Sequence, residues 1–170
     1  MTAVILAPAF WTAVLGGPAQ PRDTAGAWRA VTALREALAP EVERGKRVLF
    51  LSERHLLTFG LVGDVPLVPE YEKVFLMEMA MSRNEEYLSA FYADLERHAF
   101  DVIVTGPLSV APRGSGHRFG DEDDIWAQAV AAPILRWYRP AQVLEPVGLW
   151  LIVPAEEGGG LPGAGGAAEP

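Results

Sequence analysis

The chain contains no cysteine, so disulfides and thiolate-ligated zinc or iron–sulfur centres are excluded at the outset. The absence leaves the compartment open, because a thiol-free chain tolerates either redox environment. Basic charge is also scarce: 14 Lys and Arg stand against 22 Asp and Glu, a net charge of −8. Nucleic acid is therefore not an expected partner, since its phosphates need a basic face. Anionic lipid headgroups would repel the same surface, which leaves apolar anchoring as the route to any membrane contact. Only two of the basic residues are lysines, Lys46 and Lys73, a skew that fits a GC-rich genome. The three histidines, His55, His98 and His117, are scattered without the spacing of a zinc site.

What is present suits one folded domain. The 170 residues are 50% hydrophobic and 21% charged, a balance that supports a real core. Residues 1–20 carry no charged side chain. Their apolar stretch is too short to span a bilayer, which takes about 20 apolar residues. It also lacks the basic start of a signal peptide, and Pro8 would kink a helix there. The segment reads either as a core or edge piece or as the end of a transmembrane helix. A Gly/Pro linker closes it at 21, a soluble α/β domain is expected over 22–154, and a disordered Gly/Ala/Pro tail from 155 to 170.

Within the domain, Asp23 or Thr24 can cap a helix running to about Ala39, with Trp28, Val31, Leu34 and Leu38 as its stripe. Pro40 and Gly45 are expected to end it. Residues 47–52 read as a buried strand, and 65–68 as a weaker one with Pro66 at its edge. Helices are predicted over 70–81 and, capped by Asn84, over 85–98, where Leu88, Phe91, Tyr92 and Leu95 share a stripe. The clearest strand is 100–105. A polar loop over 108–120 leads to a helix from Asp121 to about Tyr138, kinked at Pro133. Residues 142–144 and 149–153 form a terminal antiparallel hairpin. The alternation predicts a three-layer α/β fold, a mostly parallel sheet with helices on both faces and this hairpin at its edge.

Four clusters could carry chemistry. Glu53, Arg54 and His55 directly follow the first strand, where open α/β sheets bind ligands. No glycine-rich turn accompanies them, so dinucleotide binding is not expected and no cofactor is assigned. A mutually paired polar cluster is the plainer account. The 114–120 stretch resembles a phosphate loop only superficially, because acids occupy the helix start where an anion would sit. Those acids, Asp121, Glu122, Asp123 and Asp124, suit either helix capping or a hard divalent cation. Glu78 stands among apolar neighbours and either faces solvent or is buried with a partner such as Arg54, His55 or Lys73. Met77, Met79 and Met81 read as core filler. Ser52 and Ser115 lack a nucleophile-elbow context, so no catalytic residue is assigned.

Residues 48–60, 68–81, 119–126 and 133–138 together resemble the C-terminal soluble domain of uncharacterised, multi-spanning bacterial membrane proteins. The layout is more distantly similar to the soluble tails of polyprenyl-phosphate-sugar-dependent glycosyltransferases. The likeness spans about 47–154; Arg136 stands where a small residue is expected in relatives. It implies attachment to a membrane-embedded part, in the same or a partner protein, and a position outside the cytoplasm. It transfers no active site, because the catalytic acid of such enzymes lies in the membrane core. The expected role is thus a non-catalytic accessory or interaction domain. The alternative is a small-molecule or divalent-cation-binding domain, with hydrolysis as its candidate chemistry, in which Glu53, His55, Glu78 and the 121–124 acids share one cleft.

Overall fold

The first helix, α1 (Thr24–Glu43), is set by apolar residues one turn apart: Ala30, Leu34 and Leu38 are buried. Trp28, expected in that stripe, is 60% exposed. Pro40 does not end the helix, which continues to Glu43. Both Pro40 and Glu36, whose carbonyl loses its donor at Pro40, face solvent, so water can satisfy that carbonyl. The stop comes at Gly45, at φ 72°. There Gly45 N–H donates to Val42 O at 2.9 Å and Lys46 N–H to Glu41 O at 3.1 Å, the paired bonds of a helix closed by a left-handed residue. The computed structural model describes residues 24–144 and 148–155. The apolar segment and linker of 1–21 lie outside them, as does the expected tail apart from Ala155.

Strand β1 (Val48–Phe50) follows, then a single turn α2 (His55–Thr58), helix α3 (Lys73–Met81) and helix α4 (Glu85–Glu96). The 65–68 stretch, expected as a strand, is irregular. Pro66 and Pro69 remove ladder donors on either side of Val68, whose carbonyl is taken by a side chain instead. Glu72 caps α3 through Phe75 N–H at 3.0 Å, so this helix starts three residues later than expected from 70. Asn84 caps α4 through Tyr87 N–H at 3.1 Å, as its position suggests.

Strand β2 (Val102–Thr105) leads through a long loop to α5 (Gly120–Trp126), a π-helical turn (Ala127–Ala131) and α6 (Ala132–Trp137). The π-turn sits where Pro133 was expected to kink the helix, and its chemistry is local. Pro133 lacks the N–H that would meet the Ala129 carbonyl one turn back. Tyr92 on α4 supplies the donor, its hydroxyl lying 3.0 Å from Ala129 O. Strands β3 (Tyr138–Leu144) and β4 (Leu149–Pro154) form the closing hairpin.

The sheet order is β1-β2-β4-β3. Only β1 and β2 run parallel; β2–β4 and β4–β3 are antiparallel. A mixed sheet thus replaces the mostly parallel one expected, because the 65–68 strand is missing and the hairpin provides half the strands. Alternation sends side chains to two cores. Val48, Phe50, Val102, Val104 and Leu151 meet α1 and α2 on one face. Leu49, Ile103 and Ile152 meet α3, α4 and the π-turn on the other.

Candidate functional site

The carboxyl ends of β1 and β2 lie side by side, held by a crosslink: Gly106 N–H donates to Ser52 Oγ at 3.2 Å. Immediately beyond, Glu53 adopts a left-handed backbone, φ 60°. Arg83 and His98 share that geometry, but each closes a helix. Asn84 N–H reaches Met79 O behind Arg83, and Ala99 N–H reaches Asp94 O behind His98. Glu53 closes no helix. A non-glycine residue held there costs on the order of 1–3 kcal/mol, which the surrounding packing must sustain.

The expected Glu53–Arg54–His55 cluster separates into two units. Glu53 Oε2 lies 3.4 Å from His55 Nε2, with Glu53 about half-exposed and His55 somewhat more so. Arg54 turns the other way and donates to Val68 O at 2.8 Å, tying the irregular 65–70 segment to the end of β1. Behind the Glu53–His55 pair opens a cavity of about 220 Å³ between α1 and α2. Its walls are Ala30, Val31, Leu34, Leu56 and Leu149, with Glu53 and His55 as its polar lining. Three of those walls, Leu34, Leu56 and Leu149, belong to the core of that face.

Other expected site residues lie elsewhere. Glu78 is exposed on α3, so the buried ion pair considered for it is not formed. Its suggested partners are engaged otherwise: Arg54 at Val68, His55 at Glu53, and Lys73 over the Trp126 ring at 5.6 Å. The 121–124 acids organise a loop. Asp124 accepts from Arg113 N–H at 2.6 Å and Gly114 N–H at 3.1 Å, and Asp123 pairs with the Arg113 guanidinium at 3.1 Å. Asp121 faces solvent. None of the four caps α5 by a side-chain bond; the capping position is Phe119, also left-handed. Asp121, Glu122 and Asp123 still occupy the first turn, where the helix dipole favours them. Gly120 is required here, because a Cβ would fall 1.9 Å from Gly114 O. Among the described residues no three acids or histidines converge in a geometry that could hold a metal ion.

The polar network that sequence reasoning missed lies on the α3–α4 face. Tyr71 donates to Asp94 at 2.6 Å, and Arg97 pairs with the same carboxylate. Burial first, and the Asp94 bond second, raise the Tyr71 phenol well above its ordinary value. Tyr138 donates to Phe100 O at 3.0 Å and accepts from Phe100 N–H at 3.3 Å. Burial pushes its phenol up to about 12. Tyrosines at a strand start and in a coil carry no periodic signal, so these pairings were invisible without the fold.

The chain matches no protein-family model, no curated protein and no solved structure. Among the described residues no helix is long and apolar enough to cross a membrane.

Proposed function

We propose that this α/β unit is the non-catalytic, extracytoplasmic accessory domain of a membrane protein, seated on a membrane-embedded core of sugar-transferring type. The observation that carries the reading is how the polar groups beyond the parallel strands are used. Ser52, Arg54 and Asp124 each satisfy a backbone group of a neighbouring segment. They stiffen loops and do not converge on a reacting centre. The stretches that resemble membrane-protein tail domains coincide with these structural parts: 48–60 covers β1 and α2, 119–126 covers α5, and 133–138 covers most of α6. The uncharged residues 1–20 add the apolar anchoring that an acidic chain requires.

Val110 is exposed in the loop after β2, and Val110→Cys in the native host places a reporter thiol in a segment without cysteine of its own, read against the unsubstituted protein. A membrane-impermeant maleimide should label it in intact spheroplasts. Labelling only after lysis removes the extracytoplasmic assignment, and turnover of a polyprenyl-phosphate sugar by the isolated chain removes the non-catalytic one.

A second reading, a small-molecule-binding domain, is favoured by one feature, the cavity behind Glu53 and His55. Its divalent-cation form has no such support, since Glu53 pairs with His55, Asp123 and Asp124 bind Arg113, and among the described residues no three acids or histidines converge.

A further inference from the structure

We infer that the cavity between α1 and α2 is a binding site for a small amine with a compact apolar body, such as a single ring bearing an ammonium arm. The inference deepens the second reading and is independent of membrane attachment. Size comes first. An apolar cavity of about 150 Å³ is enough to hold benzene, and this one has about 220 Å³. A six-membered ring and a short arm therefore fit, and a nucleotide does not.

Chemistry comes second. The inner walls, Leu34, Leu56 and Leu149, are buried aliphatic side chains of the core, which favour an apolar body and offer it no hydrogen bond. Among the described residues the polar lining is one carboxylate and one imidazole. Arg54, adjacent in sequence, turns to the Val68 carbonyl and so does not neutralise the carboxylate. A ligand cation meets Glu53 with a charge-assisted hydrogen bond. The net charge of −8 favours cations over anions at the same mouth.

Position comes third. The cavity opens at the carboxyl end of β1, the end at which α/β sheets place ligands. Glu53 holds a left-handed backbone there, at the entry to α2, where its carbonyl accepts from Leu56 N–H at 2.9 Å. His55 Nε2 lies 3.4 Å from Glu53 Oε2 at the same opening, so a ligand ammonium shares the carboxylate with the imidazole.

The test is a titration of the full chain with benzylamine, benzyl alcohol and benzoate, followed by methyl NMR. Benzylamine should bind with a Kd on the order of 1 mM and move the methyl signals of Val31, Leu34, Leu56 and Leu149. It should bind about tenfold more tightly than benzyl alcohol, with benzoate weakest. Glu53→Gln keeps the fold and should bring the amine to within about twofold of the alcohol. Val31→Phe, at a half-buried wall position, should reduce binding of both. Equal affinity for amine and alcohol in the unsubstituted chain overturns the inference. So does a response mapping to other methyl groups, or none at all. Because the maleimide experiment reads location alone, either idea can fail without the other.

Discussion

The two faces of the sheet are covered by different chemistry. Under α3, α4 and the π-turn an otherwise aliphatic core holds an aromatic cluster: Tyr71, Phe91, Phe100 and Tyr138 are buried, with Trp126, Trp137 and Trp150 packed around them. Tyr71 lies 4.9 Å from the Phe91 ring and 5.8 Å, nearly perpendicular, from Phe100. Its phenol and that of Tyr138 are tied to Asp94 and to the Phe100 backbone. Under α1 and α2 the buried core is aliphatic but for Phe50, and this face carries the cavity at the end of β1. Aromatic rings with hydrogen-bonded tips fix one arrangement, whereas Leu and Val fill volume without specifying direction. Hydrogen-bonded rings pin the first face, and the second carries the cavity beside Glu53.

The sharpest way to break that contrast is truncation on each face. Phe91→Ala should cost about 4 kcal/mol, read as the midpoint of urea unfolding, because the Tyr71 and Tyr92 rings packed on it cannot collapse into the space. Leu34→Ala should cost less, about 2–3 kcal/mol, since the wall it leaves already borders a cavity. Equal losses would mean that the faces do not differ in plasticity.

Tyr138→Phe probes the hydrogen-bonded tip alone. It strands a buried N–H and C=O of Phe100 and should cost about 1–3 kcal/mol. It should also alter the alkaline limb of stability. The folded phenol is raised to about 12 from an ordinary 10, so the unfolded chain loses its proton first as pH rises. Stability is then fully present below pH 10 and declines as pH approaches about 12. Unfolding followed by circular dichroism between those values should show a shallower decline in Tyr138→Phe than in the unsubstituted chain.

On the opposite face Glu53→Gly should raise stability by about 1 kcal/mol by releasing the left-handed strain, while abolishing preference for amines. A stability gain without loss of that preference would separate the strain from the site. The smallest effect belongs to Asp124→Ala. It should leave the unfolding midpoint within about 1 kcal/mol but speed proteolysis in the 109–119 loop, whose Arg113 and Gly114 amides it releases.

Legibility in the sequence follows how local the cause is. The Asn84 cap, the β1 and β2 cores and the break around Pro133 rest on residues within one turn or one strand, and each is readable. The end of α1 was half legible. Gly45 stops it as its φ requires, but Pro40 does not, because tolerance depends on which side faces water. Glu78 shows the same limit: its apolar neighbours left solvent or a buried pair open, and the helix turns it to solvent. The acids at 121–124 were legible as a helix start. Their bonds to Arg113 and Gly114 required the loop to fold back, and nothing in their spacing announces that.

The sequence by itself determined composition-level facts: no thiol chemistry, an acidic surface, alternating helices and strands, and a hairpin to finish. Periodicity, caps and turn residues are properties of neighbours in the chain, which is why they survive without coordinates. Only the tertiary structure decided that the sheet is mixed, that the buried rings gather on one face, and that Ala30, Leu56 and Leu149 line one cavity. Those outcomes depend on which distant segments pack together, and the free energy that selects them is shared among contacts between residues far apart in sequence.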